Sequence, residues 1–322
     1  MKAWCISNKT LTLETRTRPQ PGPNEVQVQV HAIGVNRADL AQTMGVYPAP
    51  PGVVADIPGL EYSGVVSAVG HQVMERKVGD AVMGLVPGGA YAEYICTHEH
   101  ETLNIPTGYS MAEAATVPEA FLTAYRALFL QAGLQHGETC LVRPATSGIG
   151  LAAIQLCQAF GNPIIGSSRN PDNLATATTL GLSATVTEGP NMAAEVLAHT
   201  QQKGVAAILD MVGPEWEQLL PALAVEGHLV IIGLLGGLTT SINLAALLQK
   251  RHHLSALTMR HQPLQERLRI AAIFNQRLQP YFTEQRLTAL PHKTFPFSEA
   301  LTAHEHMKTS AYSGKRVLQI IG

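Results

Sequence analysis

Residues Thr139 to Phe160 run TCLVRPATSGIGLAAIQLCQAF. An apolar strand enters a turn with glycines at 148 and 150, and an apolar helix leaves it, ended by Gly161. In that context the two glycines let the backbone approach a pyrophosphate closely, while the first N–H groups of the helix face its negative charge. Ala145, Thr146, Ser147, Gly148, Ile149 and Gly150 are therefore the candidate cofactor cradle. The competing explanation of the same glycines is a tight turn with close packing of helix on strand. Downstream, Ile164 to Ser168, Ala184 to Thr187, Ala206 to Met211 and His228 to Gly233 have strand character with helical segments between them. This alternation predicts an α/β domain, a doubly wound parallel Rossmann sheet over residues 120–262.

Upstream the texture changes. Residues 1–119 hold short strands broken by Pro and Gly: Glu25 to Ala32 alternates as EVQVQVHA, followed by Gly64 to Val69 and Ala81 to Val86. That pattern predicts an irregular, mostly β domain. Segments Gln265 to Gln279 and Ser298 to Thr309 have helical spacing, and Gly314 to Ile320 (GKRVLQI) is a last strand expected to return to the first domain. The first domain is thus assigned residues 1–119 and 263–322.

Composition narrows the function classes. At about 150 residues per domain, 322 residues fit two domains, and 46% apolar with 14% charged residues describes a packed chain. The net charge is −2 with no Lys/Arg-rich stripe, so nucleic acid is not an expected partner. The longest apolar run, Leu229 to Leu238, has ten residues, three of them Gly, short of the ~18–20 that span a bilayer. Met1 to Thr10 lacks the apolar core of an export signal, and Cys5, Cys96, Cys140 and Cys157 form no CxxC pair. A cytoplasmic protein with reduced thiols, without membrane contact, is expected.

Cofactor choice is read at the end of the second strand of the sheet, where an acid would hold the ribose 2′-OH of NAD. Here Ser168 and Arg169 stand instead. They remove repulsion of a 2′-phosphate and offer it a planar cation, so NADPH is expected, with NADH weaker. Asn170-Pro171-Asp172 has the pattern of a helix cap with Pro in the first turn, which assigns Asp172 to capping.

Several stretches together resemble one family. They are Asn36-Arg37-Ala38-Asp39, Gly45-Val46-Tyr47-Pro48, Gly59-Leu60-Glu61-Tyr62-Ser63-Gly64, Val78-Gly79-Asp80 and Gly88 to Tyr94. Pro118 to Ala124, Ala145 to Gly150, Leu209 to Gly213 and Ile232 to Gly237 continue the series. Over its whole length the chain resembles the medium-chain dehydrogenase/reductase superfamily, and within it the zinc-independent quinone oxidoreductases related to zeta-crystallin. The resemblance implies a GroES-like irregular barrel for the first domain and a homodimer, with the apolar strand His228 to Gly233 as the pairing edge. Leu60 and Asn36 stand where the zinc-dependent branch carries its ligands, and the cysteine-rich lobe is missing, so no metal is implied. Two departures bear on the cofactor: Pro144 replaces a frequent Gly, and Asn173 and Glu188 stand where some relatives carry Lys and Tyr near the 2′-phosphate.

The implied chemistry is hydride transfer to an electron-poor small molecule, a quinone or an α,β-unsaturated carbonyl, for which hydrogen-bond donors suffice in place of a Lewis acid. Asn36 and Tyr47 resemble the family's polar site residues: Asn36 to orient nicotinamide or substrate, the Tyr47 hydroxyl to donate to the developing oxyanion. The competing roles are a turn-forming Asn36 and a Tyr47 that packs as an aromatic lid. Thr123 is implied near the nicotinamide ribose, against a helix-capping role, and Gly233, Leu234 and Leu235 are implied to offer backbone groups to the carboxamide. Asp210 is divided between structure and ribose contact. Arg260 and Lys315 are divided between cofactor phosphate and solvent, with solvent favoured, and the cluster Lys250-Arg251-His252-His253 is expected to be a solvated loop. The pairs His98/His100 and His304/His306 are expected to be surface histidines whose rings point apart. Two alternatives remain: a 2-enoyl thioester reductase, and a non-catalytic NADPH-binding protein of crystallin-like or regulatory role.

Overall fold

The computed structural model describes residues 1–169, 174–309 and 312–320, so the expected cap at Asn170-Pro171-Asp172 and the departure at Asn173 lie outside the described residues. The chain divides into two compact units, Met1–Glu119 with Met259–Gly322 and Ala120–Thr258. The return to the first unit falls at Met259, four residues before the expected boundary at 263.

In the first unit the strands are β1 (Lys2–Ser7), β2 (Thr10–Thr15), β3 (Glu25–Val35), β4 (Glu61–Val69), β5 (Ala81–Leu85), β6 (Tyr94–His98) and β7 (Thr102–Asn104). The antiparallel β1–β2 hairpin was not read from sequence. Alternation in β3 buries Val26, Val28 and Val30 completely against a core that also holds Tyr62, Tyr91, Ile33 and Leu318. Near the chain end β14 (His292–Pro296) and β15 (Lys315–Gln319) complete a seven-stranded sheet of order β14-β15-β3-β4-β5-β7, with β6 also on β3. The last strand therefore returns to the first unit, antiparallel to β3.

The second unit holds β8 (Cys140–Arg143), β9 (Ile164–Ser168), β10 (Ala184–Thr187), β11 (Val205–Asp210), β12 (Leu223–Ile231) and β13 (His253–Ala256). They form one parallel sheet in the order β10-β9-β8-β11-β12-β13. Strand order reverses between β8 and β11, and the crevice at the carboxyl ends beside such a switch point is where open α/β sheets bind ligands. The helix Gly148–Phe160 follows β8 directly, with Gly161 at φ 77° closing it.

One strand corrects the expected loop. In Lys250-Arg251-His252-His253 the side chains of Arg251 and His253 are exposed as expected, but His253 opens β13, which pairs along β12 from His228 to Ile231. The segment HLSA is short and half polar, so its strand character comes from the partner and not from its own pattern. The strand His228 to Gly233 is consequently internal, and the edge of the sheet is β13.

Candidate functional site

In the first unit, three neighbouring strands bring distant residues into one row. Arg316 of β15 lies opposite Val35 of β3, and Gly34 lies opposite Glu61 of β4. Lys315 thereby reaches Asn36, the residue capping the helix Arg37–Thr43. Lys315 Nζ donates to Asn36 Oδ1 at 2.6 Å and to Glu61 Oε1. Asn36 Nδ2 donates to Glu61 Oε1 at 2.9 Å and to the Gly34 carbonyl at 3.2 Å. The other oxygen of Glu61 accepts the Glu119 N–H at 2.9 Å. Lys315 is 4% exposed and Glu61 fully buried, whereas Asn36 is half-buried. Gly34 makes room for this row, because a Cβ there would overlap the Glu61 carboxylate and the Ala115 carbonyl oxygen.

Behind Asn36 the polar network continues into the core. The Asn36 N–H donates to Asp39 Oδ2 at 2.7 Å, the Tyr91 hydroxyl lies 3.3 Å from the same oxygen, and His304 Nε2 is 3.0 Å from that hydroxyl. Burial pushes the Asp39 carboxyl up to about 7 even though the Asn36 N–H and Lys315 favour its charged form. Burial also holds His304 down to about 4 and raises the Tyr91 phenol.

Tyr47 is half-buried, its ring 5.1 Å from the His261 ring and 5.3 Å from the Arg260 guanidinium. Arg260 donates to the Tyr47 carbonyl at 2.9 Å, to Gln42 Oε1 at 2.7 Å and to the Pro87 carbonyl at 2.7 Å, tying two loops together.

These contacts correct several expectations. Arg260 and Lys315, expected in solvent, are both buried. His304 is a core residue, while His306 accepts from Arg316 Nε at 3.1 Å, so this helical pair does point apart. His98 and His100 do not: they lie at a strand end and in a following tight turn, with ring centroids 5.2 Å apart and His100 Nδ1 3.3 Å from Glu75. The i, i+2 argument applies to two residues within one α-helix, whereas His98 is the extended cap of the single 3-10 turn that holds His100. Among the described residues no three His, Cys, Asp or Glu side chains are grouped to hold a metal ion.

The second unit presents backbone. Ser147 caps the helix: its Oγ accepts the Gly150 N–H at 2.9 Å and donates to the Pro144 carbonyl at 3.2 Å. The N–H groups of Gly148 and Ile149, the first of the helix, have no intrahelical acceptor, and these residues and Thr146 are half-buried, with Ala145 beneath them. Gly150 is explained by packing, since a Cβ there would sit 2.5 Å from the Pro144 carbonyl oxygen and 2.6 Å from that of Ala145. The close-packed turn and the open N–H groups thus occur together. Thr123 is the sixth residue of the helix Pro118–Tyr125, so it is not a cap; its hydroxyl is buried without a partner. Leu234 and Leu235 are about half exposed just past β12, and the Leu235 N–H is engaged with the Met211 carbonyl at 3.2 Å, so that group is not available to a carboxamide. The unsatisfied N–H groups of the helix that follows β8 beside the switch point fit a dinucleotide, and the same unit holds the unpartnered Thr123 hydroxyl.

At the carboxyl end of β8, Arg143 is 1% exposed and missed by sequence reasoning. It donates to Glu188 Oε2 at 2.8 Å, Glu215 Oε2 at 3.0 Å and the Pro214 carbonyl at 3.1 Å, with Asp210 at 3.7 Å. Glu188 also accepts from the Ser167 hydroxyl, so both its oxygens are engaged inside the protein. Asp210 accepts from Val212 N, Gly213 N and Trp216 Nε1, which assigns it to structure. Ser168 is buried at the end of β9, and Arg169 beside it is exposed with no partner among the described residues.

A βα dinucleotide fold with this strand order, joined to a mostly β unit carrying its own polar row, defines a nicotinamide-dependent oxidoreductase. Comparison with known proteins agrees. Residues 22–124 match the alcohol dehydrogenase GroES-like domain and residues 148–273 the zinc-binding dehydrogenase family. A quinone oxidoreductase of Pseudomonas aeruginosa is 37% identical over 222 residues, 68% of this chain and 68% of that one. The solved quinone oxidoreductase of Pseudomonas syringae pv. tomato DC3000 superposes with a TM-score of 0.85 at 28% identity, over 99% of both chains. The CurK enoyl reductase gives 0.85 at 27% identity, again over 99% of both. The chain belongs to the medium-chain dehydrogenase/reductase superfamily, in its quinone-oxidoreductase, zeta-crystallin-like branch.

Proposed function

We propose that the protein is an NADPH-dependent reductase that transfers hydride to a quinone or an α,β-unsaturated carbonyl without a metal. The observation that carries this reading is Asn36. It is an amide, held at the end of a buried row by Lys315 and Glu61, in the place where the resemblance puts a zinc ligand in metal-dependent relatives. The likeness to quinone oxidoreductases supports the acceptor class.

Bound reduced nicotinamide supplies the hydride. The helix N–H groups of Gly148 and Ile149 take the pyrophosphate, the Thr123 hydroxyl takes a partner on the nicotinamide side, and backbone around Gly233 and Leu234 contributes beside it. Arg169, exposed and unpaired among the described residues, supports NADPH over NADH. Glu188 does not oppose this, because its charge is engaged by Arg143. Both Asn36 amide protons are engaged, so Asn36 has none for an oxyanion and acts by orientation. Donation falls to the Tyr47 hydroxyl, whose ring is steadied by Arg260 and His261. We further propose a homodimer formed along the open edge of β13, and a cytoplasmic setting consistent with four free cysteines.

The second reading, reduction of a 2-enoyl thioester, is favoured by the likeness to the CurK enoyl reductase. One assay matrix separates the readings: NADPH or NADH oxidation against an ortho-quinone, a para-quinone, a simple enone and a crotonyl thioester, with and without chelator. Fast, chelator-insensitive NADPH turnover with quinones is expected. Preference for the thioester selects the second reading, and tight NADPH binding without turnover selects the non-catalytic alternative.

A further inference from the structure

Lys315 and Glu61 are two charged groups with almost no exposure, from strands that meet only through the fold. Burying such a pair strips both ions of their hydration before its attraction is counted, and apolar replacements of equal volume are often neutral or stabilising. Stability alone therefore gives weak reason for the pair. Its remaining capacity shows a different use. The ammonium group donates to Asn36 Oδ1, and the carboxylate accepts from Asn36 Nδ2.

A carboxamide placed between a cation and an anion has one orientation. Turned over, its NH2 would face the ammonium and its oxygen the carboxylate, replacing two charge-assisted bonds by two repulsions. The Gly34 carbonyl, accepting the second amide proton, closes the arrangement. We infer that Lys315 and Glu61 are positioning residues for the reaction: as a charge pair they lock the Asn36 amide in the one orientation in which it aligns nicotinamide or substrate. The inference rests on the reading of Asn36 as a site residue.

A double-mutant cycle tests it, with kcat and KM measured on NADPH and a quinone, cofactor affinity by fluorescence quenching, and Tm for each variant. Asn36→Ala and Lys315→Met are each expected to lower kcat by about tenfold or more, with NADPH affinity within about twofold. The double variant should be no slower than the slower single, because Lys315 acts through Asn36. If Lys315→Met fails to fold, the near-isosteric Glu61→Gln enters the same cycle with the same expected non-additivity. Losses that multiply in the double variant overturn the inference, as does Lys315→Met or Glu61→Gln with a lower Tm and unchanged kcat. Wild-type kcat in Asn36→Ala removes the underlying reading of Asn36, a result distinct from multiplying losses.

Discussion

In the first unit Lys315 and Glu61 face each other one to one and direct their remaining capacity at a half-exposed amide. In the second, Arg143 sits among Glu188, Asp210 and Glu215 and directs its donors at those carboxylates and a loop carbonyl. The first arrangement shapes a side chain that can meet a ligand. The other ties the ends of β8, β10 and β11 together and spends its donors inside the protein. Substitutions in the second unit's charge cluster should therefore change stability, and those in the first unit's row should change turnover.

The largest expected effect tests that contrast directly. Arg143→Met leaves the buried Asp210 and the partly buried Glu188 without their cation, which costs about 3–5 kcal/mol; chemical denaturation should show this loss while kcat of the folded fraction holds. A fall in kcat at unchanged stability would erase the distinction between the units.

The two crowded glycines sharpen it. Gly34→Ala and Gly150→Ala each force a methyl into backbone or carboxylate, at about 1–3 kcal/mol. Gly34→Ala should lower kcat with cofactor affinity retained. Gly150→Ala should weaken NADPH binding, read by fluorescence titration, with the reverse pattern counting against the assignment.

Arg169→Glu should weaken NADPH binding about tenfold, ~1.4 kcal/mol, and leave NADH binding nearly unchanged. Equal loss for both cofactors would remove Arg169 from the 2′-phosphate site.

The last test concerns the core behind Asn36, where two opposing pH effects largely cancel in the wild-type protein. Folding raises Asp39 from its ordinary 3.8 to about 7, so between those values the folded state holds a proton that the unfolded chain lacks, and stability falls as pH rises through that window. His304 is lowered from 6.5 to about 4, so its contribution is lost as pH falls through that interval. The two slopes oppose each other between about pH 4 and 6.5, each at most ~1.4 kcal/mol per pH unit. Asp39→Asn should expose the rise and His304→Gln the fall in urea titrations across that range. Unaltered pH profiles in both variants would contradict these shifts.

How much was legible follows from the range of each interaction. The strand, glycine turn and helix at 139–160, the alternation of β3 and the strand near the chain end, β15, are local patterns, and they were read correctly as elements. The glycine turn at 148–150 was legible as a motif, and the proposed roles of Asn36 and Tyr47 rest on the resemblance. Lys315, Arg260, Arg143 and His304 were not, because a charged side chain in sequence carries the same signature whether solvated or buried. The pairing of His98 with His100 was misjudged for a related reason: spacing predicts direction only once the backbone conformation is known. Strand β13 was missed because four half-polar residues take strand form from β12 beside them.

By itself, then, the sequence determined the two kinds of domain and the glycine turn between β8 and the helix Gly148–Phe160, since these depend on neighbours within a few residues. Only the tertiary structure decided which charges are buried and whom they meet. Lys315 lies 279 residues from Asn36 and 254 from Glu61. The register of β15 on β3 and of β3 on β4 brings them together, and long-range strand pairing with the desolvation it imposes is a property of the folded chain alone.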